Sequence, residues 1–439
     1  MLTASRQPGV PFWTLLLGNR NYRYTWLGQI VSEAGDHFNT IAVLSLALHT
    51  TGSGAAVGGV MLARTLGGIA AGPIAGVVLD RMDRKRVMIA SDLFRAVAAL
   101  AFVLVITHKQ EWLLYFLSAS LMFASPFFTS GRSAILPDIT RPEELHTANA
   151  LTLTTAWLTL SIGAFLGGAS TMRFGYECAF AVNAFSFLFS AGAISRLKPS
   201  GAGFRAGAGA GAPARNMRAF WDDFRSGMAY IRSTPLVLGI ALVLVGWASG
   251  GGAAQILFTL YGELVFKLGP SGVGFIWGSA GIGLVAGGFL AHWLGPHLNF
   301  ARYKHAIAIL LFVHGAAYVL FAVSPDVWWA VLFIALSRVG MGTNNILNRT
   351  MLLHHVPNRF RGRVFSAMEM ILNGAMMISM TAASVAAVRY PVRTIGVIAG
   401  VLSTSTALFW AAANYAGRLP EPPAVPEQET DQRGPTTPA

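Results

Sequence analysis

The sequence predicts an all-α polytopic membrane protein, with twelve transmembrane helices arranged as two pseudo-symmetric six-helix bundles. Three observations predict it: composition, the spacing of apolar runs, and an internal repeat. Of 439 residues, 54% are hydrophobic and only 12% charged, against about 25% charged in an average soluble domain. Apolar stretches recur along almost the whole chain, each near the ~20 residues that a spanning helix needs. The 48 glycines suit spanning helices that pack backbone to backbone.

Between charged or Pro/Gly-rich breaks, the apolar runs fall at 25–48, 55–79, 87–106, 112–131, 149–172 and 177–197. A second set follows at 236–260, 272–294, 305–323, 327–348, 364–386 and 394–416. The chain thus divides into an N-terminal segment 1–24, a bundle 25–197, a linker 198–235, a second bundle 236–417 and a tail 418–439. The first run is too long for a signal h-region, so no cleaved signal is expected.

Topology follows from the basic residues. The net charge of +13 would suggest nucleic acid in a soluble domain, but no interleaved basic and aromatic residues grip bases here. Only Lys109, Arg173, Lys267, Arg389 and Arg393 fall in the loops of one side, and Arg64, Arg95 and Arg338 fall inside spans. The remaining basic residues sit on the other side, which holds both termini. By the positive-inside rule both termini are expected in the cytoplasm, and the chain in a cell inner membrane. Cys178 is the only cysteine, so there is no intrachain disulfide, and no metal-ligand spacing is seen.

The linker has two parts. Residues 200–214, rich in Gly and Ala, read as a flexible connection. Beyond it, Phe220, Phe224, Met228 and Ile231 recur at helical spacing among charges, the pattern of an amphipathic helix lying on the cytoplasmic leaflet. The Pro-rich, acidic tail after Arg418 is expected to be disordered.

The repeat ties the halves together. Gly72, Ala75, Gly76 and Leu79 in the second span match Gly283, Ala286, Gly287 and Leu290 in the eighth. Arg132 and Leu136 after the fourth are echoed by Arg349 and Leu353 after the tenth. Parallel halves related by an axis along the membrane normal are a transporter architecture, with substrate held between them near the midplane.

The loop after the second span reads Gly76-Val-Val-Leu-Asp80-Arg81-Met-Asp83-Arg84-Lys85-Arg86. It resembles the G-x-x-x-D-R-x-x-R-R signature of the major facilitator superfamily. Ser32 to Asp36, Asp92-Leu-Phe-Arg95, Leu136-Pro137 with Glu144-Leu145 and Ala148-Asn149-Ala150, and Arg361-Gly362-Arg363-Val364 are similar to its exporter branch. That branch includes enterobactin-type siderophore exporters and macrolide efflux proteins. The resemblance covers Asn21 to Gly417 and implies the major facilitator fold. It also implies that Gly76, Asp80, Arg81, Arg84 and Lys85 form a conformational latch on the cytoplasmic side, with the Asp92–Arg95 pair bound to it. Physically, a carboxylate among guanidinium groups can hold neighbouring helices in one state and release them in another; alternatively, these cations only set topology. Ala291 and His292 replace Asp80 and Arg81 in the repeat, so any latch is one-sided. Thr159, Gly163, Ala164, Gly167 and Gly168 partly match an exporter motif of the fifth span, or form a plain packing face.

Charged side chains at mid-bilayer cost roughly 2.5–3.5 kcal/mol on insertion scales and need explanation. In the first span Glu33 and Asp36 lie one turn apart, with Asn39 and Thr40 on the Asp36 face. Arg64 in the second span is at a depth that permits an Asp36–Arg64 pair, which either couples proton binding to transport or is a permanent structural ion pair. In the superfamily the first, fourth, seventh and tenth spans line the cavity. Its expected lining includes Asn39, Thr40, Phe123, Phe127, Trp247, Gln255, Phe258, Arg338, Met341, Asn344, Asn345 and Asn348. Such a surface suits amphipathic organic molecules. Glu369 is expected to partner Arg363 or to titrate.

No nucleophile–base pairing, P-loop or metal cluster is evident, so neither an enzyme nor a cofactor is expected. The expected function is proton-coupled efflux of an amphipathic small molecule (a drug, macrolide or siderophore) by a monomer in the lipid bilayer, with no nucleic-acid partner. A lipid or lysophospholipid flippase of the same fold, or a transport-inactive sensor or scaffold, are the alternatives.

Overall fold

The computed structural model describes residues 10–108, 110–198, 204 and 217–422. A short helix α1 (Phe12–Gly18) precedes α2 (Arg20–Thr51), α3 (Gly54–Arg81), α4 (Arg84–Ala101) with its continuation α5 (Val103–His108), α6 (Glu111–Ile139) and α7 (Pro142–Ser195). After α8 (Met217–Ser233) come α9 (Pro235–Leu260), α10 (Gly269–Leu294), α11 (Phe300–Val323), α12 (Val327–His355), α13 (Asn358–Ala386) and α14 (Val392–Tyr415). No strand occurs among the described residues.

Local chemistry sets the boundaries. Asn19, Ser53, Asp83, Asn299 and Asp326 accept hydrogen bonds from the first-turn amides of α2, α3, α4, α11 and α12, as N-cap residues do. Proline opens α7 and α9, where its missing N–H costs nothing. The 54-residue α7 breaks at Gly175, whose φ of 83° lies in the left-handed region that side chains with a Cβ disfavour. Its two arms are the fifth and sixth spans.

Ten helices are long and apolar enough to cross a membrane. Counting the two arms of α7 separately, and adding the more polar 32-residue α2, gives twelve spans in two six-helix halves. Ten of the expected runs lie inside these helices; the runs 177–197 and 394–416 extend one or two residues past the ends of α7 at Ser195 and α14 at Tyr415.

The halves meet chiefly at the end opposite the chain termini. There α7 packs on α10 so closely that a Cβ on Gly168 would lie 2.5 Å from the Pro270 carbonyl oxygen. Gly54 and Gly58 of α3 abut Ala387 and Ser384, and Ser45 of α2 donates to Glu263 just beyond α9. On the terminus side α3 stays packed on α6, with Leu79 against Gly131, but Gly72 and Gly76 face open space. The molecule is therefore closed at the opposite end and open toward the terminus side.

Two expectations change. The helix after the linker forms, and its apolar side packs in part against α13 as well as being available to a leaflet. Ile231 is 1% exposed, Tyr230 stacks on Phe360 with centroids 5.0 Å apart, and Asp223 binds Arg363 at 2.7 Å. Covering the start of α13 buries that part of the face more fully than a headgroup layer would. The tail does not loosen at once after Arg418 either: Leu419 is 3% exposed and its carbonyl accepts from Lys304 Nζ at 3.1 Å. Of the expected linker, only Phe204 within 200–214 is described, and residues 423–439 of the tail lie outside the described residues.

Candidate transport site

The N-terminal half gathers charge around α2. Glu33 Oε1 binds Arg132 Nη1 of α6 at 3.1 Å, while Glu33 Oε2 accepts from Thr159 Oγ1 of α7 at 3.1 Å. One turn on, Asp36 Oδ2 lies 3.6 Å from Arg95 Nη1 of α4. Arg95 also binds Asp92 on its own helix and lies over the rings of Phe187 and Phe128, at 4.3 and 5.0 Å. Asp92 is 0% and Arg95 2% exposed, whereas the Asp36 side chain retains 21% exposure. One enclosed guanidinium thus faces two carboxylates, and only one of them reaches open space.

The expected Asp36–Arg64 ion pair is not formed. Arg64 Nη2 donates to Thr40 Oγ1 at 3.0 Å, and Thr40 in turn donates to the Asp36 carbonyl at 2.7 Å. The packing of α4 on α7 carries Arg95 to the carboxylate that depth alone assigned to Arg64. Asp92 and Arg95 are correspondingly not tied to the loop after α3 but belong to the Asp36 cluster. His37, beside Asp36, packs against Gly163 of α7.

Of the latch residues, Asp80, Arg81 and Gly76 are exposed. Asp80 makes no ion pair among the described residues. Arg84 binds Asp138 at 3.3 Å, and Lys85 donates to the Ser195 and Leu197 carbonyls at 2.7 and 2.8 Å. The loop therefore braces the ends of α6 and α7 in its own half.

The cavity residues divide. Phe123 and Phe127 of α6 sit side by side, centroids 5.9 Å apart, with Phe123 36% exposed. Thr40, Gln255, Met341 and Asn345 are half-buried. Asn39 is not on an open cavity: it is 0% exposed and shares a face of α2 with Gly28 and Gly35, which abut Ser190 and Ser186 of α7. Asn344 and Asn348 also turn inward, since Asn348 Nδ2 donates to Asn344 Oδ1 at 3.1 Å and Tyr303 of α11 donates to Asn348 Oδ1 at 2.6 Å. Phe258 is 1% exposed among Trp277 and Phe321. Arg338 lies 5.2 Å over that ring and donates to Met341 Sδ at 3.0 Å. Arg363 binds Asp223, so Glu369 is not its partner.

Sequence reasoning missed Arg132 and Thr159 as partners of Glu33. Arg132 was visible in the internal repeat, but nothing in the chain marks which carboxylate it meets. Thr159 stands where the exporter motif of the fifth span has glycine; the motif's later glycines are packing positions, with Gly163 and Gly167 against α2 and Gly168 against α10. Among the described residues no group of His, Cys, Asp and Glu is arranged to hold a metal ion.

Comparison with known proteins agrees with this architecture. The family model described as Major Facilitator Superfamily matches residues 25–380. The "Putative bacilysin exporter BacE" of Bacillus amyloliquefaciens is 25% identical over 374 residues, covering 83% of this chain and 90% of that protein. A bacterial homologue of the iron transporter ferroportin, solved in an inward-facing state, superposes with a TM-score of 0.65 at 16% identity, over 90% of this chain and 99% of that one. The nucleoside transporter NupG superposes with a TM-score of 0.69 at 13% identity, over 90% and 99% of the two chains.

Proposed function

The chain belongs to the major facilitator superfamily, and from that premise we propose that it exports an amphipathic small molecule in exchange for protons by alternating access. It works as a monomer in a cell inner membrane, with both termini cytoplasmic. The similarity to a protein named as an exporter supports the direction. The observation that carries the coupling is the pair of carboxylates, Asp36 and Asp92, on the single enclosed guanidinium of Arg95. With both carboxylates ionised the three groups carry one net negative charge in a low-dielectric setting, where like charges share a site poorly, and Arg64 of α3 is the further cation that acts on Asp36. A proton taken up there balances the cluster.

Asp36 is the member through which the proton comes and goes, because it alone reaches open space. Protonation weakens its hold on Arg95 of α4, and with it the brace between α2 and α4. The membrane potential contributes roughly 2.3 kcal/mol per charge per 100 mV to such a step. Asp80 and its loop close the terminus side in the alternate state. The partly exposed Phe123, Phe127, Gln255, Met341 and Asn345 contact the cargo.

The test is efflux of a panel of fluorescent dyes, macrolides and siderophores from cells, with and without a protonophore. Protonophore-sensitive efflux that Asp36→Asn abolishes is expected. Identical efflux by the wild type and Asp36→Asn would sink the coupling assignment.

A further inference from the structure

The C-terminal half holds a second charged place, arranged unlike its counterpart. Arg349 of α12 is the repeat equivalent of Arg132 of α6, each followed by leucine four residues on. Arg132 is held at 3.1 Å by Glu33 of α2. The counterpart of α2 is α9, and α9 carries no carboxylate anywhere between Pro235 and Leu260. Arg349 accordingly has no ion-pair partner among the described residues; it only lies over the Phe365 ring, 5.6 Å from its centroid.

What faces Arg349 instead is space. A cavity of about 230 Å³ opens between α9, α12 and α13, lined by Arg349, Glu369, Asn345, Asn348 and Trp247. Glu369 and the Asn345 amide likewise make no hydrogen bond or ion pair among the described residues. The Trp247 indole N–H is enclosed and has no acceptor among the described residues, an arrangement native structures avoid unless something else supplies one. Asn348 is held rigidly by Tyr303 and Asn344 and serves as a fixed wall. A cation, an anion, a free amide and an orphaned donor thus border one small space with apolar sides.

We propose that this cavity binds the zwitterionic head of the transported molecule, an ammonium paired with Glu369 and a carboxylate or phosphate paired with Arg349. The volume admits a group the size of an amino acid, with Phe365 and Met368 as apolar wall beside the charged pair, and leaves the remainder of a larger cargo outside it. A guanidinium suits an oxyanion through two parallel N–H donors, and Trp247 and Asn345 supply further polar contacts. The inference rests on the transport reading only in taking the bound molecule as cargo. The same head chemistry occurs on free amino-acid-like solutes and on phosphatidylethanolamine.

Binding to the purified full-length protein tests it, with Nε-dansyl-lysine as the probe, because that molecule keeps both α charges on an amphipathic body. Its α-methyl ester and α-N-acetyl form each lack one charge. The free form is expected to bind saturably and each capped form about tenfold more weakly, the scale of one charged hydrogen bond. Arg349→Gln should erase the difference between acid and ester while keeping that between free and acetylated amine. Glu369→Gln should do the reverse. Equal binding of all three probes, or variants that keep both discriminations, would overturn the proposal.

Vesicles of phosphatidylethanolamine and of phosphatidylglycerol separate the two sources. Displacement of the probe by the former alone supports a lipid head as the occupant, and displacement by neither supports a free solute. Retained discrimination in a protein that effluxes nothing leaves the pocket standing and removes the transport reading. Protonophore-sensitive efflux of the dansyl probe that Arg349→Gln and Glu369→Gln leave unchanged removes the cargo site and leaves transport standing.

Discussion

Asp36 of α2 and Arg95 of α4 lie 3.6 Å apart, and the same guanidinium binds Asp92. This relationship joins the one partly open carboxylate of the cluster to its enclosed base, and it separates coupling from structure. Asp36→Asn keeps a hydrogen-bonding group of the same shape and removes the titrating charge. Proton-driven exchange in proteoliposomes should be lost, while binding of cargo and the gel-filtration profile stay as in the wild type. A variant that still accumulates cargo against its gradient under an imposed pH difference would refute this.

Glu33 and Arg132 make the second pair, 3.1 Å apart and partly enclosed. Removing either partner leaves the other uncompensated, whereas removing both does not. Arg132→Ala should therefore destabilise the protein by about 1–3 kcal/mol. Adding Glu33→Gln should restore part of that. Thermal unfolding of the single and double variants in one detergent measures the coupling; simple additivity would mean that the pair contributes nothing.

Asp80 has no ion-pair partner among the described residues while the terminus side is open, and its neighbours Arg84 and Lys85 brace only their own half. If the loop closes that side in the other state, Asp80→Asn should slow transport strongly and leave the unfolding temperature unchanged. A matching loss of stability would show instead that Asp80 supports the open state.

Gly168 sits where α7 and α10 close the opposite end. Gly168→Leu cannot be accommodated against the Pro270 carbonyl, so the closed end should be forced apart. In a Cys178→Ser background, a cysteine at Ser161, whose hydroxyl bonds the Gly278 carbonyl at 2.8 Å, should react faster with a membrane-impermeant maleimide once that substitution is added. Unchanged labelling would place the closure elsewhere.

Gly175 breaks α7 with a φ of 83°. Gly175→Ala introduces a Cβ at a positive φ with extended ψ, a region essentially reserved for glycine, at a cost of about 1–3 kcal/mol. Reduced thermal stability with normal transport in the surviving protein is expected, because the residue shapes a connection and touches no charged pair.

Much of this molecule was legible in its sequence. Span number, the division into halves and the position of each helix follow from apolar length and charge, which act locally: a segment of ~20 apolar residues must satisfy its backbone internally wherever it sits. The internal repeat likewise needed only the order of residues. Charges were recognisable as costly inside spans, so Glu33, Asp36, Arg64, Asp92, Arg95 and Arg338 stood out.

Their partners did not. Depth along a helix is set by residue number, but which neighbour a side chain meets depends on how helices rotate against each other, and that is decided by packing between segments far apart in the chain. Seated by α4 and α7, Arg95 took the carboxylate that depth alone gave to Arg64. The α2–α7 seam drew Asn39 out of the cavity, and Tyr303 of α11 drew Asn348 inward. That α9 lacks a carboxylate is written in the sequence, but only the tertiary structure sets Arg349 and Glu369 around one cavity in the half whose counterpart closes an ion pair.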